Sequence, residues 1–423
     1  MTVDYEPFSD VQRDDPYPLY AQLREHAPLH FAEEANAWCV SRYDDVVTVL
    51  RSVEDFSSDA MRTILMGERP GVDPMTDPES LQRMMAFAQA LPFPPQELIT
   101  ARNLISEDPP RHGPLRNVVN RGFTPRRIAA WEPRLREIVA ECMADLRSAD
   151  AFDLIDRLAM PLPVRAISEI LGVEPERADD FKRWNDRIIT AITGSGRGLD
   201  VEANGMAEAV RELATYIIGV VREREIHPGD DLISVVVAAQ EGDAALAPIE
   251  VMTLVLLLLA AGNETTTNLL GNCVKALLGH PDQLERLCAE PALVPNAIEE
   301  TLRFDGPVQI VFRRATRDVE LSCGKIPANA TVFALIGSAN RDEKRWGPDA
   351  GTFRVDRNVQ GHLGFGFGNH FCLGASLARL EARVAMEALL EELPRLRRAD
   401  TPVEPVDSFM LRGPRHLPLE RAA

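Results

Sequence analysis

The ten residues from Phe365 to Gly374 contain the chain's strongest candidate for chemistry, a cysteine that follows closely spaced glycines. They run Phe-Gly-Phe-Gly-Asn-His-Phe-Cys-Leu-Gly, with Cys372 in eighth place. A thiolate is a ligand for soft metals, and Gly366 lets the backbone approach a flat ligand closely because it lacks Cβ. Apolar residues at helical spacing follow from Ala375, which predicts that Cys372 lies just before a helix N-terminus, where the dipole favours an anionic sulfur.

Two other interpretations of Cys372 stay open at this point. It is a buried structural thiol, or it is a zinc ligand with His362 and His370 nearby. Zinc sites usually add a second Cys-x-x-Cys or His pair at ligand spacing, and this chain has none.

A second candidate region is a long apolar helix interrupted by polar residues. Pro248 is predicted to begin it, and Gly279-His-Pro281 to end it. Its centre reads Leu-Leu-Leu-Leu-Ala-Ala-Gly-Asn-Glu-Thr-Thr-Thr over residues 256–267. An unpaired acid such as Glu264 is costly in such a rod. Thr265 is expected to bond the carbonyl of Ala261, and Gly262 leaves room for a ligand.

These stretches resemble the sequence motifs of the bacterial soluble cytochrome P-450 family, which are haem-thiolate monooxygenases. The cysteine loop matches Phe-x-x-Gly-x-x-x-Cys-x-Gly, and residues 261–266 match Ala/Gly-Gly-x-Asp/Glu-Thr-Thr/Ser. Three further motifs occur in the family's order, and the resemblance extends from about Asp15 to Leu419. It implies a mainly α protein with a small β region, in the cytochrome P-450 fold. We therefore expect a single triangular-prism-like domain over residues 1–423.

The resemblance also implies a cofactor, haem b, and a set of residues that hold it. Cys372 is the implied iron ligand. The other implied haem-binding residues are Ala261, Gly262, Phe365, Gly366 and Gly374, with His112, Arg116, Arg313 and His370 as partners of the propionates. Arginine suits this task because its fork matches carboxylate geometry. An ordinary surface ion pair or helix cap is the alternative role for each of the last four.

The implied reaction is insertion of one oxygen atom of O2 into a C–H bond of a medium-sized lipophilic molecule. Glu264 and Thr265 are the implied catalytic residues, in proton delivery to dioxygen. By position in the family, residues 57–107 cover the substrate, 248–278 form the oxygen-activating helix and 365–374 the haem-ligand loop. The pocket lining expected by family position is Leu258, Ala261, Val308, Ile310, Phe409 and Met410. Terpenoid, steroid, fatty acid and polyketide substrates are not separated.

A buried structural clamp is implied by Glu300, Arg303 and Arg357. The first two lie on one helix face by their spacing, and all three match family positions. The clamp is expected to fix the core behind the cysteine loop.

Two alternative functions remain open: a peroxide-driven or isomerising haem enzyme, and a non-catalytic haem sensor or carrier.

Composition bounds the partners and the location. The 423 residues carry a formal charge of −19, which argues against nucleic acid and against an anionic membrane surface. No signal peptide is recognisable, and the apolar run 251–262 is too short to span a bilayer. We therefore expect a cytoplasmic monomer that docks on no membrane, with its six cysteines reduced.

The electrons are expected to come from a separate protein. No Rossmann glycine fingerprint opens a βαβ unit, so the implied donor is a ferredoxin or flavodoxin with its NAD(P)H-dependent reductase. A basic docking patch is predicted on the cysteine side, formed by Arg121, Arg126, Arg127, Arg379 and Arg383.

Overall fold

The computed structural model describes residues 3–61, 78, 82, 85, 89, 91–94, 97, 101–193, 205–239 and 246–422. Its helices, numbered in chain order, are α1 Asp10–Asp14, α2 Tyr17–His26, α3 Tyr43–Arg51, α4 His112–Asn120, α5 Pro125–Ala130, α6 Glu132–Arg147, α7 Pro161–Ile170, α8 Ala178–Thr193, α9 Met206–Ile226, α10 Leu232–Ala238, α11 Pro248–Gly279, α12 Pro281–Ala289, α13 Val294–Phe304, α14 Ile336–Ala339, α15 Glu343–Trp346 and α16 Ala375–Leu389. A π-helical turn at Ile155–Ala159 precedes α7.

The strands are few and short. They are β1 Leu29–Ala32, β2 Ala37–Val40, β3 Phe56–Ser57, β4 Ala151–Asp153, β5 Ile310–Ala315, β6 Val319–Leu321, β7 Gly324–Ile326, β8 Thr331–Leu335, β9 Leu396–Arg398 and β10 Pro418–Arg421. The largest sheet has the order β1-β2-β8-β5-β3. Within it β2 and β8 are parallel and the other neighbours antiparallel.

The helical core forms around α11, which packs against α7, α13 and α16. Residues 266–274, in its C-terminal half, are buried on every face. The sheet has separate apolar clusters on its two faces, one around Phe312 and Phe333 and the other around Val332 and Ala334. Because successive side chains of a strand point to opposite faces, β8 supplies both clusters.

One described helix, α11, is long and apolar enough to cross a membrane by length and composition alone. Half of its most apolar window is buried inside the protein, and the core helix of a soluble protein passes the same test. The prediction that the apolar run is too short therefore holds only for residues 251–262, since the full helix has 32 residues.

The apolar periodicity of the sequence predicts helices over residues 131–146, 204–224 and 248–278 and strands over residues 37–41, 310–313, 319–321 and 331–335. The observed bounds differ from these by at most two residues. The π-helical turn and the sheet β4-β10-β9, whose strands lie far apart in the chain, were not predicted. Most of the predicted covering segment 57–107 lies outside the described residues. The single domain over residues 1–423, and the role of residues 57–107 as its substrate-covering segment, stay predictions.

Candidate active site

The cysteine loop closes on itself just before α16. The amide of Cys372 donates to the carbonyl of Phe365 at 2.9 Å, and α16 begins three residues later, as predicted. Gly366 and Gly368 have φ angles of 72° and 71°, in the left-handed region that favours glycine. A Cβ on Gly368 would also lie 3.1 Å from the carbonyl oxygen of Leu50. Both glycines are therefore needed for the turn that presents the sulfur.

Opposing effects act on the Cys372 thiol. Burial is the larger effect and raises the pKa of the thiol above its ordinary value, while the Gly374 amide and the charges of Arg116 and Arg379 only partly offset the rise. A metal ligand must be deprotonated, and a bound cation displaces the proton. The surroundings thus supply a hydrogen-bond donor and two cations for the thiolate that a metal would stabilise.

A buried group of cationic and imidazole side chains lies beside the loop. The His112 and His370 rings are 4.2 Å apart, and the Nε2 atom of each is buried and has no hydrogen-bond partner among the described residues. Arg313 is 4% exposed; its guanidinium donates to the carbonyl of Phe312 at 2.7 Å and forms no ion pair within the described residues. Burial lowers the pKa of Arg313 to about 10. Burial and the charge of Arg313 lower the pKa of His370 to about 3.

Buried polar atoms without partners are rare in folded proteins. An anionic ligand with carboxylate oxygens satisfies the donors of this group, and two propionates fit it. The group brings together three of the four residues predicted for that role.

The fourth, Arg116, lies on α4 but reaches the cysteine loop. Its Nη1 donates to the carbonyl of Asn369 at 2.9 Å, and its Nη2 donates to the carbonyl of Phe371. Arg116 therefore clasps the loop from the side of α4, and its contact with a propionate stays a prediction.

The polar residues in the middle of α11 have the predicted local geometry. Thr265 Oγ1 donates to the carbonyl of Ala261 at 2.6 Å. Ala261 is exposed although it lies mid-helix, and a Cβ on Gly262 would meet no atom within 4 Å. Burial alone raises the pKa of Glu264 to about 7, so this carboxyl can change protonation near neutral pH. The helix thus presents a flat backbone face beside a proton-exchanging acid and an alcohol.

Sequence reasoning missed one residue that joins the two halves of the site. Glu381 on α16 is 2% exposed; burial raises its pKa to about 8, and a hydrogen bond with Thr266 of α11 opposes the rise. It ties the helix after Cys372 to the residue beside Thr265. An acid among Leu377, Leu380 and Val384 on one helix face was the available signal.

The clamp is assembled as predicted. Arg303 donates to both oxygens of Glu300, at 2.6 and 2.8 Å, and both side chains are fully buried. Arg357 Nε donates to Glu300 at 3.2 Å. Arg303 also donates to the carbonyls of Asn340, Ala350 and Thr352, which fixes the chain that leads to the cysteine loop.

The predicted substrate lining is partly apolar wall and partly core. Ile310 is 2% exposed, and Phe409 and Met410 pack against the cluster that contains it. Leu258 is half-buried against the α11 cluster. Val308 forms an isolated bridge with Leu411, which brings the two chain segments together.

The zinc alternative gains no support from these positions. His362 Nε2 is 2.8 Å from a carboxylate oxygen of Glu299. Within the described ranges, the single group of three potential ligands close enough to share an ion is Asp153, Asp156 and His416, and it excludes Cys372. A flat, metal-centred dicarboxylate is the group that suits the cysteine, the glycine faces and the buried cations together.

Comparisons with known proteins find relatives that match nearly the whole chain. The family model described as Cytochrome P450 matches residues 202–415. The 6-deoxyerythronolide B hydroxylase of Saccharopolyspora erythraea is 36% identical, with 99% of each chain covered. The structure of cytochrome P450 CYP109Q5 from Chondromyces apiculatus superposes with a TM-score of 0.84 at 36% identity, covering 100% of this chain and 99% of the other. That of CYP109E1 from Bacillus megaterium in complex with corticosterone gives 0.81 at 33% identity, covering 97% and 100%.

Proposed function

Because this chain belongs to the cytochrome P450 family, we propose that Cys372 ligates the iron of haem b and that Glu264 and Thr265 are the catalytic residues. The reaction is monooxygenation: one oxygen atom of O2 enters a C–H bond of a lipophilic molecule, and the other becomes water with two electrons and two protons. The bound haem supplies the oxidising chemistry. The observation that carries the residue assignment is the position of the cysteine loop beside buried Arg313 and two buried imidazole nitrogens that have no partner in the described part of the chain.

Each side chain has a defined task in this proposal. Arg313, His112 and His370 bind the propionates, and Arg116 holds the cysteine loop on α4. Gly262 and Gly374 leave their faces open to the macrocycle, since a Cβ on either would meet no atom within 4 Å. The Phe365 side chain is 8% exposed and would exclude water from the cysteine loop.

The protons are moved by two neighbouring groups. A carboxyl with a pKa of about 7 both accepts and releases a proton near neutral pH, which suits Glu264 to relay protons. Thr265 can release the Ala261 carbonyl and donate its hydroxyl hydrogen towards the open face of Gly262. We assign delivery of protons to dioxygen to this pair.

The test is the absorption spectrum of the purified, reduced protein under carbon monoxide. A strongly red-shifted Soret band is expected for wild type, because the Cys372 thiolate would ligate the iron. Cys372→Ser is expected to lose that band while still binding haem. A wild-type carbon monoxide band typical of a neutral protein ligand would contradict the assignment of Cys372.

For the substrate we propose a medium-sized, lipophilic molecule without strong charge, since the predicted lining is apolar. Corticosterone, the molecule in the CYP109E1 complex, and 6-deoxyerythronolide B, named in the hydroxylase, are the first compounds for a spin-state titration. Saturable shifts with either would support this class; binding only of charged compounds would contradict it.

For the electron donor we propose a ferredoxin or flavodoxin with its reductase, docking at the cysteine side. Two of the five predicted arginines are already paired: Arg379 with Glu299, and Arg383 with Glu132 and Glu387. Arg121 and Arg126 are exposed and make no ion pair within the described ranges, so they carry the free positive charge. Arg126→Glu is expected to raise the KM for the donor at low salt and to leave haem content unchanged. A cytoplasmic location and a monomeric state stay predictions.

A further inference from the structure

A largely buried ion pair joins the start of α11 to the chain segment that precedes α4. Arg102 Nε and Nη2 donate to the two oxygens of Glu250 at 2.7 and 2.8 Å, and the Arg102 amide donates to the first of these oxygens at 3.0 Å. The side chains are 15% and 8% exposed. This fork geometry makes charge-assisted hydrogen bonds that are stronger than neutral ones.

Glu250 has a role in its own helix that does not require Arg102. It lies in the first turn of α11, where the helix dipole favours a carboxylate, and it accepts the Ala247 amide at 2.9 Å. Burial raises the pKa of Glu250, but the bonds from Arg102 and the two amides outweigh it and hold the pKa below its usual range. The ion pair therefore serves mainly to hold the segment that carries Arg102 in place.

That segment, residues 102–112, is here called the strap. It is fixed at its far end too, where Asp108 accepts the Ser58 amide at 2.9 Å and the Ser57 hydroxyl. His112, whose amide donates to the Asp108 carbonyl at 3.0 Å, then opens α4. The strap thus runs from the start of α11 to His112, the residue proposed to bind a haem propionate.

Between these ends the strap supplies one residue to each of the two apolar clusters that contain the predicted substrate lining. Leu104 is buried in the core cluster that includes Leu254 and Val255 of α11. Ile105 packs against the cluster that contains Ile310, as do Phe409 and Met410. A shift of the strap would therefore move the wall between α11 and β5.

We propose that Arg102 and Glu250 are a positioning pair, which holds the strap on α11 and so fixes the chamber wall and His112 relative to Glu264 and Thr265. The pair touches no reacting atom in this proposal and acts through the strap. The inference rests on the haem-thiolate function proposed above.

The test uses the holoenzyme with Arg102→Gln, Glu250→Gln and the double variant. Glutamine at 250 keeps an oxygen for the Ala247 amide, so the helix cap is retained. The matched control is Arg134→Gln, Glu169→Gln and their double variant. That pair has the same fork, with both bonds at 2.8 Å, and joins α6 to α7.

The first measurement is amide hydrogen exchange of peptides that cover the strap. Loss of charge-assisted bonds is expected to speed exchange there by about 10-fold or more. The double variant is expected to match the single ones, because each single change already breaks the pair. The control variants are expected to leave strap exchange unchanged.

The second measurement is the affinity of ferric enzyme for two azoles. The phenyl ring of 4-phenylimidazole needs the chamber wall, so the Kd of this compound is expected to rise by about 10-fold in the Arg102 and Glu250 variants. The Kd of imidazole, which has no phenyl ring, is expected to change by less than about twofold. Both measurements together support the positioning role.

Three results would overturn the proposal. Strap exchange at the wild-type rate would show that the pair does not hold it. Faster exchange with unchanged 4-phenylimidazole binding would show that the strap does not position the site. Equal acceleration in α6 and in the strap would show a general loss of stability. If wild type lacks the thiolate carbon monoxide band, the proposed function fails, but the exchange result still decides whether the pair holds the strap.

Discussion

Removing Arg303 should uncouple the cysteine loop from the core behind it. The side chain is fully buried and is hydrogen-bonded to both oxygens of Glu300 and to the carbonyls of Asn340, Ala350 and Thr352. Arg303→Ala deletes all five bonds and leaves Glu300 buried. Breaking a buried ion pair on one side costs about 3–5 kcal/mol. We expect a loss in this range, near its lower end because Arg357 still reaches Glu300 at 3.2 Å.

The assay is urea unfolding of the holoprotein, with haem content measured per mole of chain. Haem content should fall together with the free energy of unfolding, since the carbonyls that Arg303 binds lie on the route to the cysteine loop. The control is Arg286→Ala, which removes a surface ion pair with Asp356 at 2.8 Å, with the arginine 46% exposed. A surface pair contributes about 0–1 kcal/mol. Arg303→Ala with a free energy of unfolding within about 1 kcal/mol of wild type, and with full haem content, would refute this account of the clamp.

Three other changes test the site. Thr265→Ala should keep haem and substrate binding but release peroxide, because a hydroxyl that guides protons is lost. The amount of product formed per NAD(P)H consumed measures this loss. An unchanged ratio of product to NAD(P)H would remove Thr265 from the mechanism. Glu264→Gln should change the pH dependence of stability: the raised carboxyl pKa of about 7 means that wild type loses stability as pH rises from about 4.5 through 7, up to about 2–3 kcal/mol. The glutamine variant should lack this loss, and parallel curves of unfolding free energy against pH from 5 to 8 would contradict the assignment. Arg313→Met should stabilise the apoprotein, since a buried charge is costly and Arg313 makes no ion pair with any described residue. It should release haem faster by about 10-fold or more, as measured by haem transfer to an acceptor protein. An unchanged release rate would remove Arg313 from the propionate site.

The local features of this protein were predictable from its sequence. The spacing of apolar residues placed α6, α9 and α11 to within a few residues, because amphipathic and buried helices show their period directly. Gly366 and Cys372 indicated a tight loop before a helix, since a left-handed turn favours glycine. The types and spacing of residues 261–266 predicted the bond from Thr265 to Ala261, which joins residues four apart on one helix.

Tertiary structure decided everything that depends on distant segments meeting. Glu381 and Thr266 lie on different helices, and no periodicity shows that they pair. The clasp of Arg116 on the cysteine loop, the pairing of Arg379 with Glu299, and the joining of Arg102 to Glu250 likewise link residues that are far apart in the chain. The sequence determines which titratable side chains the protein carries, but burial changes their charge states. Glu264 has a pKa of about 7 because the packed helices exclude water from it.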